Sequence, residues 1–237
     1  MNITNADIKN LKDKKYKKEN KLFIVEGNKF CHDLLNSDIE IVTTLTTEKN
    51  LKDFPNVEII SEKMLSNLAT TKTSQSIICV CKIKDFSINS VGNSLILDNL
   101  QDPGNVGTLI RSALAFGFKD IYLVGGADVF SEKVIRSSAG LILKARLHIV
   151  DFETIQNNKN KIADNFAVAH MFGDSINEIR LPKKRIAVII GNEGQGVSED
   201  FMKLANIKIA IPMCEGVESL NAGVAGSIIM QRFGTIN

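Results

Sequence analysis

The sequence predicts an α/β protein in two parts, a small layered unit followed by a larger parallel sheet with helices on both faces. Three observations predict it. Apolar runs of strand length alternate with helix-like segments along the 237-residue chain. The stretch 85–93, Asp-Phe-Ser-Ile-Asn-Ser-Val-Gly-Asn, is rich in turn formers and marks a linker between parts spanning 1–84 and 94–237. Beyond that linker each strand is followed by a loop and then a helix, the pattern that feeds a parallel sheet.

In the first part, residues 8–18 read as a polar helix, 22–25 as a strand and 29–35 as a helix. Residues 39–44 follow as a strand, 61–68 as a helix and 77–83 as a strand. In the second part, 94–97 is a short apolar strand and 105–116 a helix. Strands follow at 121–124, 147–150, 166–170, 186–190 and 207–211, with helices at 133–138 and 222–233. No internal repeat or low-complexity tract interrupts the pattern.

Composition narrows the functional classes. Apolar residues make up 44% and charged residues 24%, ordinary for a globular chain. The longest apolar stretches are strand-length, so no membrane span is expected. The opening Met-Asn-Ile-Thr-Asn-Ala-Asp has no apolar core, so a secretory leader is not expected and a cytoplasmic address follows. Cys31, Cys79, Cys81 and Cys214 form no convincing metal or disulfide set and read as small buried thiols. His32, His148 and His170 share no metal-ligand spacing, so no metal is expected.

The net charge of +2 does not by itself announce a nucleic-acid binder. Its distribution says more. Lys12, Lys14, Lys15, Lys17, Lys18 and Lys21 crowd together against only Asp13 and Glu19. Such a run serves either as a handle on phosphate or as a solvated helix face. Before Arg111 the chain uses lysine alone as its basic residue. In such a chain a surviving arginine is favoured where a planar, forked donor set is needed, which draws notice to Arg111 and Arg136.

Ligands of open parallel sheets bind beyond the carboxyl ends of strands, and three loops stand out there. The first, 97–112, reads Leu-Asp-Asn-Leu-Gln-Asp-Pro-Gly-Asn-Val-Gly-Thr-Leu-Ile-Arg-Ser. It runs a strand through a Pro-Gly turn into a helix, with Asn105 near the helix start as a natural cap and Arg111 six residues on. The dinucleotide-binding glycine spacing is missing, which disfavours a Rossmann-type nucleotide enzyme. The second, 190–199, reads Ile-Gly-Asn-Glu-Gly-Gln-Gly-Val-Ser-Glu, where the glycines permit close approach of backbone to a ligand. A plain glycine-rich turn, with Ser198 capping the next helix, explains it equally well. The third, 211–222, reads Ile-Pro-Met-Cys-Glu-Gly-Val-Glu-Ser-Leu-Asn-Ala, with Ser219 and Asn221 placed to cap the last helix. The small residues Ala-Gly-Val-Ala-Gly-Ser that follow imply that another backbone packs very close, from this chain or from a second subunit.

Taken together, in this order, the three loops resemble the three signature motifs of the SpoU/TrmH-type branch of the SPOUT methyltransferases. Arg136-Ser137-Ser138-Ala139-Gly140 matches that family's pattern as well, and Phe23-Ile24-Val25-Glu26-Gly27 resembles its small substrate-binding domain. The resemblance implies a catalytic domain with a deep trefoil knot, a small L30e-like N-terminal domain that docks RNA, and a homodimer with the site near the subunit interface. It implies S-adenosylmethionine as cofactor, with Gly191, Asn192, Ile211, Met213 and Leu220 lining its pocket. It implies methyl transfer to a ribose 2′-hydroxyl, in 23S rRNA ahead of tRNA. Arg111 then polarises the 2′-oxygen or a nearby phosphate, Asn105 and Glu193 orient arginine or ribose, and Ser219 and Asn221 shape the transfer site. The rival reading is a ribosome-associated RNA-binding protein without catalysis.

Overall fold

The computed structural model describes residues 3–48, 51–71, 76–180 and 184–234, so Met1 and Asn2, which open the stretch read above for a leader, lie outside the described residues. Two compact units emerge, one of Met1–Lys84 with Phe130–Arg136, the other of Asp85–Val129 with Ser137–Asn237.

The first unit contains α1 (Asn5–Asn10), α2 (Lys14–Asn20), β1 (Leu22–Glu26), α3 (Asn28–Leu35), β2 (Ile41–Thr46), β3 (Val57–Ile59), α4 (Glu62–Leu68) and β4 (Ile77–Lys82). The single helix expected over 8–18 is two short ones. Leu11 turns into the core, and the Asp13 carboxylate accepts the Tyr16 N–H at 2.8 Å, which caps α2 and ends the first helix. The sheet order is β1-β4-β2-β3, with β4 antiparallel to both neighbours and β3 parallel to β2. β3 was not expected, because three residues are too few to show a period. Ile8, Leu11, Leu22, Ile24, Leu65, Leu68, Ile78 and Val80 close the core on one face of this sheet.

The lysine run divides by role. Lys17 is buried and its ammonium donates to the Phe130 carbonyl at 3.2 Å. Lys12 donates to the Ala69 carbonyl at 2.8 Å, and Lys15 lies 3.8 Å from Glu19. Part of the run therefore holds the unit together. Glu26, of the Phe-Ile-Val-Glu-Gly stretch, is also buried. Its carboxylate accepts the Thr70 N–H and hydroxyl, each at 2.8 Å, and the Thr71 N–H at 3.2 Å. Cys31, Cys79 and Cys81 are buried and free, as small apolar residues would be; Cys214 is exposed.

The second unit contains β5 (Ser94–Asp98), α5 (Pro103–Ala115), β6 (Asp120–Val124), the end of α6 (Glu132–Ser137), a 3₁₀ turn (Leu141–Lys144) and β7 (Arg146–Val150). Then come α7 (Phe152–Asn157), α8 (Lys159–Ile162), β8 (Asn165–Ser175), β9 (Ile186–Ile190), α9 (Glu199–Leu204), β10 (Ile207–Ala210) and α10 (Ala222–Phe233). Six strands run parallel in the order β10-β8-β9-β5-β6-β7. β5 and β9 are buried along their whole length, as central strands covered on both faces must be. The chain builds outward from β5 to β7 on one side and returns to β9 on the other. The switch point therefore falls between β5 and β9. Residues 85–93 pack on this unit. The Ser90 hydroxyl meets the Tyr122 hydroxyl at 2.8 Å, and Arg185 donates to the Ser90 carbonyl at 2.6 Å.

Candidate active site

The loops after β5 and β9 leave the sheet side by side at the switch point, and backbone constraints fix both. Asn99 follows β5 with φ 54°, a left-handed conformation that asparagine tolerates better than most residues. Its side-chain oxygen accepts the Gly126 N–H at 3.1 Å and its carbonyl accepts Asn192 Nδ2 at 3.0 Å. Buried Asp98 accepts the Ser198 N–H at 2.7 Å, which pins the far end of the second loop. Within that loop Asn192 and Gly196 exchange two backbone hydrogen bonds, each 2.9 Å, and Asn192 Oδ1 accepts the Gly194 and Gln195 N–H groups. Gly191 has no alternative. A Cβ there would overlap the Gly196 carbonyl and the Val197 nitrogen.

Glu193 ties the first two loops together. Its carboxylate accepts the Gln101 N–H at 3.1 Å, the Asp102 N–H at 3.0 Å and Asn105 Nδ2 at 3.0 Å. Partial burial pushes the carboxyl's pKa up, but the bonds from Asn105 and the two backbone amides outweigh it and hold the group below its ordinary 4.5. Asn105 then passes the connection on, since its side-chain oxygen accepts Asn221 Nδ2 at 2.9 Å. Asn221 in turn caps α10, accepting the Val224 N–H at 3.2 Å. One chain of side chains thus joins all three loops.

The helix cap expected at Asn105 belongs to Asp102, whose carboxylate accepts the Asn105 N–H at 2.8 Å with Pro103 at the first helical position. That leaves the Asn105 amide free for Glu193 and Asn221. The Ser137–Gly140 stretch braces the same helix. Ser137 donates to the Pro103 carbonyl at 3.2 Å, and a Cβ on Gly107 would overlap Ser137. Ser198 precedes α9 without a side-chain cap bond, so its role is the backbone tie to Asp98.

A cleft of about 430 Å³ opens beside this junction. Gly191, Asn192, Ile211, Met213 and Leu220 line it, as do Glu193, Ser219 and Asn221. Its floor is Ile190, Ile209 and Ala225, and its rim includes Ala169, His170 and Met171 on β8. Apolar walls, close-lying backbone and a few polar groups suit an adenosyl group, and the volume falls in the range of small-ligand sites. His170 and Met171 were missed by the sequence reading, which ended that strand at residue 170. Among the described residues no group of three or more His, Cys, Asp or Glu is placed to hold a metal, and no helix is long and apolar enough to cross a membrane.

Arg111 stands apart from the cleft. It is exposed on α5 and does not line the pocket, and among the described residues it makes no hydrogen bond or ion pair. Arg136 pairs with Glu132 at 3.1 Å on the surface. The small residues of α10 serve packing within the chain. A Cβ at Gly226 would collide with Leu109 of α5 and crowd Ile190 of β9, and Ser112 and Ser227 touch at 2.7 Å. The outer faces of the two helices remain open, with Val224 47% and Ile228 38% exposed.

Comparison with known proteins agrees with this layout. The SpoU rRNA Methylase family profile matches residues 92–231, and that of the MRM3-like substrate binding domain matches residues 5–79. The 23S rRNA (guanosine(2553)-2′-O)-methyltransferase RlmP of Bacillus subtilis is 29% identical over 94% of this chain and 93% of its own. An AdoMet-bound rRNA methyltransferase from Sinorhizobium meliloti superposes with a TM-score of 0.85 at 25% identity, covering 96% of this chain and 92% of that one. The SpoU methyltransferase AviRb from Streptomyces viridochromogenes, at 19% identity, shares the fold with a TM-score of 0.85 over 98% and 97% of the two chains. With three loops knitted around an adenosyl-sized cleft and a profile match across most of the second unit, the chain belongs to the SpoU rRNA methylase family, RNA methyltransferases whose cofactor is S-adenosylmethionine.

Proposed function

We propose that this protein transfers a methyl group to a ribose 2′-hydroxyl of 23S rRNA in the cytoplasm, acting as a homodimer. The observation that carries the reading is the joining of the three loops by Glu193, Asn105 and Asn221 at the cleft's edge, together with the end-to-end likeness to a relative named for that reaction. When bound, the cofactor supplies an electrophilic methyl group. Gly191, Asn192, Ile211, Met213 and Leu220 hold it, mostly through backbone groups and apolar contact. Ser219 shapes the cleft wall next to Leu220 and Asn221.

A ribose hydroxyl is a weak nucleophile at neutral pH, and the site must favour loss of its proton. Arg111, permanently charged, stabilises the developing alkoxide or an adjacent phosphate rather than accepting the proton. Its exposure, and its place outside the lining of its own chain's cleft, support a dimer in which it serves the partner's site. The exposed stripe Thr108, Arg111 and Ala115 on α5 adjoins Val224 and Ile228 on α10 across the Ser112–Ser227 contact. Asn105 and Glu193 fix the start of α5, the helix that carries Arg111. The return of the chain from edge strand β10, past the 191–198 loop, to α10 on β9 and α5 supports a trefoil knot. The first unit, in the L30e-like role, docks RNA.

The test is transfer from methyl-labelled S-adenosylmethionine to total RNA of a strain lacking this gene. Label at one 2′-O-methylated position of large-subunit rRNA is expected. Label on a base, or in tRNA alone, would overturn the assignment.

A further inference from the structure

β8 and β10 pair in register to Val168 and Lys208, and pairing resumes at Asp174 and Ile209. Neighbouring residues of β10 thus face positions far apart on β8, and residues 169–173 loop out at the carboxyl end of the sheet. Gly173 closes the excursion, since a Cβ there would press on the backbone of Lys208 and Ile209. Inside it the Phe172 N–H donates to His170 Nδ1 at 3.2 Å, which makes Nε2 the protonated nitrogen of the neutral ring. The two rings lie 5.8 Å apart, inclined at 53°. His170 and Met171 line the cofactor cleft, while Phe172 beside them is 83% exposed and Met171 68% exposed. Every one of the other phenylalanines is buried or half-buried. Phe172 alone among them is held out in water, next in sequence to two residues that line the cleft.

We infer that Phe172 is a stacking platform for the base of the nucleotide to be methylated. The inference rests on the reading that the cleft serves transfer to RNA ribose. A base splayed out of its stack offers a π face that an aromatic ring accepts whatever the base's identity. A base resting on Phe172 holds its own ribose against the cleft, and His170 Nε2–H stands beside it as a donor. The ring's exposure before substrate arrives follows from this role. A ring packed on its own protein would have to be freed first.

The variants Phe172→Ala, Phe172→Leu and Phe172→Trp test it in the full-length protein. Cofactor affinity is measured by calorimetry, and transfer kinetics with large-subunit rRNA from a strain lacking this gene. Phe172→Ala should keep the cofactor Kd within about twofold and raise the KM for RNA about tenfold, the scale of one lost stack. Phe172→Trp should restore KM, and Phe172→Leu should behave as alanine does. A leucine variant as good as wild type, a loss confined to cofactor affinity, or a shift from dimer to monomer in sedimentation would each overturn the inference. Wild-type protein that binds cofactor yet labels no RNA would refute the transfer reading instead. Filter binding of the same RNA then decides the stacking role: equal binding by wild type and Phe172→Ala overturns it, and weaker binding by the variant upholds it.

Discussion

Removing the Glu193 carboxylate should loosen the first loop without emptying the cleft. All three of its bonds are open to water, and the one to Asn105 matters most because Asn105 alone passes the connection on to Asn221. A hydrogen bond to a charged acceptor contributes about 1.5 kcal/mol at the low end, or roughly tenfold in kcat/KM for Glu193→Ala. Asn105→Ala loses that same bond and the one from Asn221, about 2 kcal/mol together. If the two residues act through their 3.0 Å contact, the double variant should fall short of the sum by about 1.5 kcal/mol, the shared bond counted twice. The assay is a double-mutant cycle on methyl transfer to large-subunit rRNA, with cofactor affinity measured alongside. Effects that add to within about 0.3 kcal/mol would refute the claim that Glu193 acts through Asn105.

Arg111→Ala should lower transfer by at least about a hundredfold while cofactor affinity changes less than about twofold, as expected of a group that meets only the developing charge; calorimetry and label transfer on one preparation decide it, and a fully active variant ends the role. Gly191→Ala should cost about 1–3 kcal/mol of stability, the usual price of overpacking, and abolish measurable cofactor binding, read by thermal melts with and without cofactor. Acidification should act late. Because Glu193 is held below 4.5, its contribution to loop order is present above that value and lost only as pH falls through the lower folded-state pKa. Protection of the Gln101 and Asp102 amides from hydrogen exchange should therefore hold from neutral pH down to 4.5 and decline only below it in wild type, with no such step in Glu193→Gln.

The sheet was legible because its strands are buried runs of branched residues. The strand 186–190 and the helix 222–233 fall where the sequence places them. The helices α7, α8 and α9 were not legible, being one or two turns long and held by the sheet they cover. Forked arginine donors also occur at residues that the sequence does not single out. Arg185 forks onto the carbonyls of Ser90, Lys161 and Asn160, and Arg232 onto those of Ile176 and Ile179, each tying chain ends that lysine could not. The three loops could be read from order and spacing, but not the side chains that join them. Nothing local to Glu193 announces that its partners sit about ninety residues earlier. Only the sheet's switch point brings them within reach. Asn99 did leave a signal, an asparagine directly after a strand, where a left-handed turn is most often needed.

The composition of α10 shows how the site acquires its rigidity. Two glycines in one helix cost roughly 2 kcal/mol against alanine. That loss is accepted where the helix must approach α5 so closely that a single methyl group at Gly226 would strike Leu109. The same closeness brings Gly223 under Asn105, where a Cβ would stand 3.3 Å from its amide oxygen. Asn221, at the start of α10, can then reach Asn105 at 2.9 Å while still capping its own helix. The glycines therefore set the distance across which the third loop is bonded to the first. Widening the gap by one methyl group would break the contact between loops before it disturbed the cleft's lining. On this reasoning Gly223→Ala should reproduce the kinetic defect of Asn105→Ala while leaving the secondary structure intact, and a variant with wild-type kcat/KM would show that the helix spacing carries no catalytic burden.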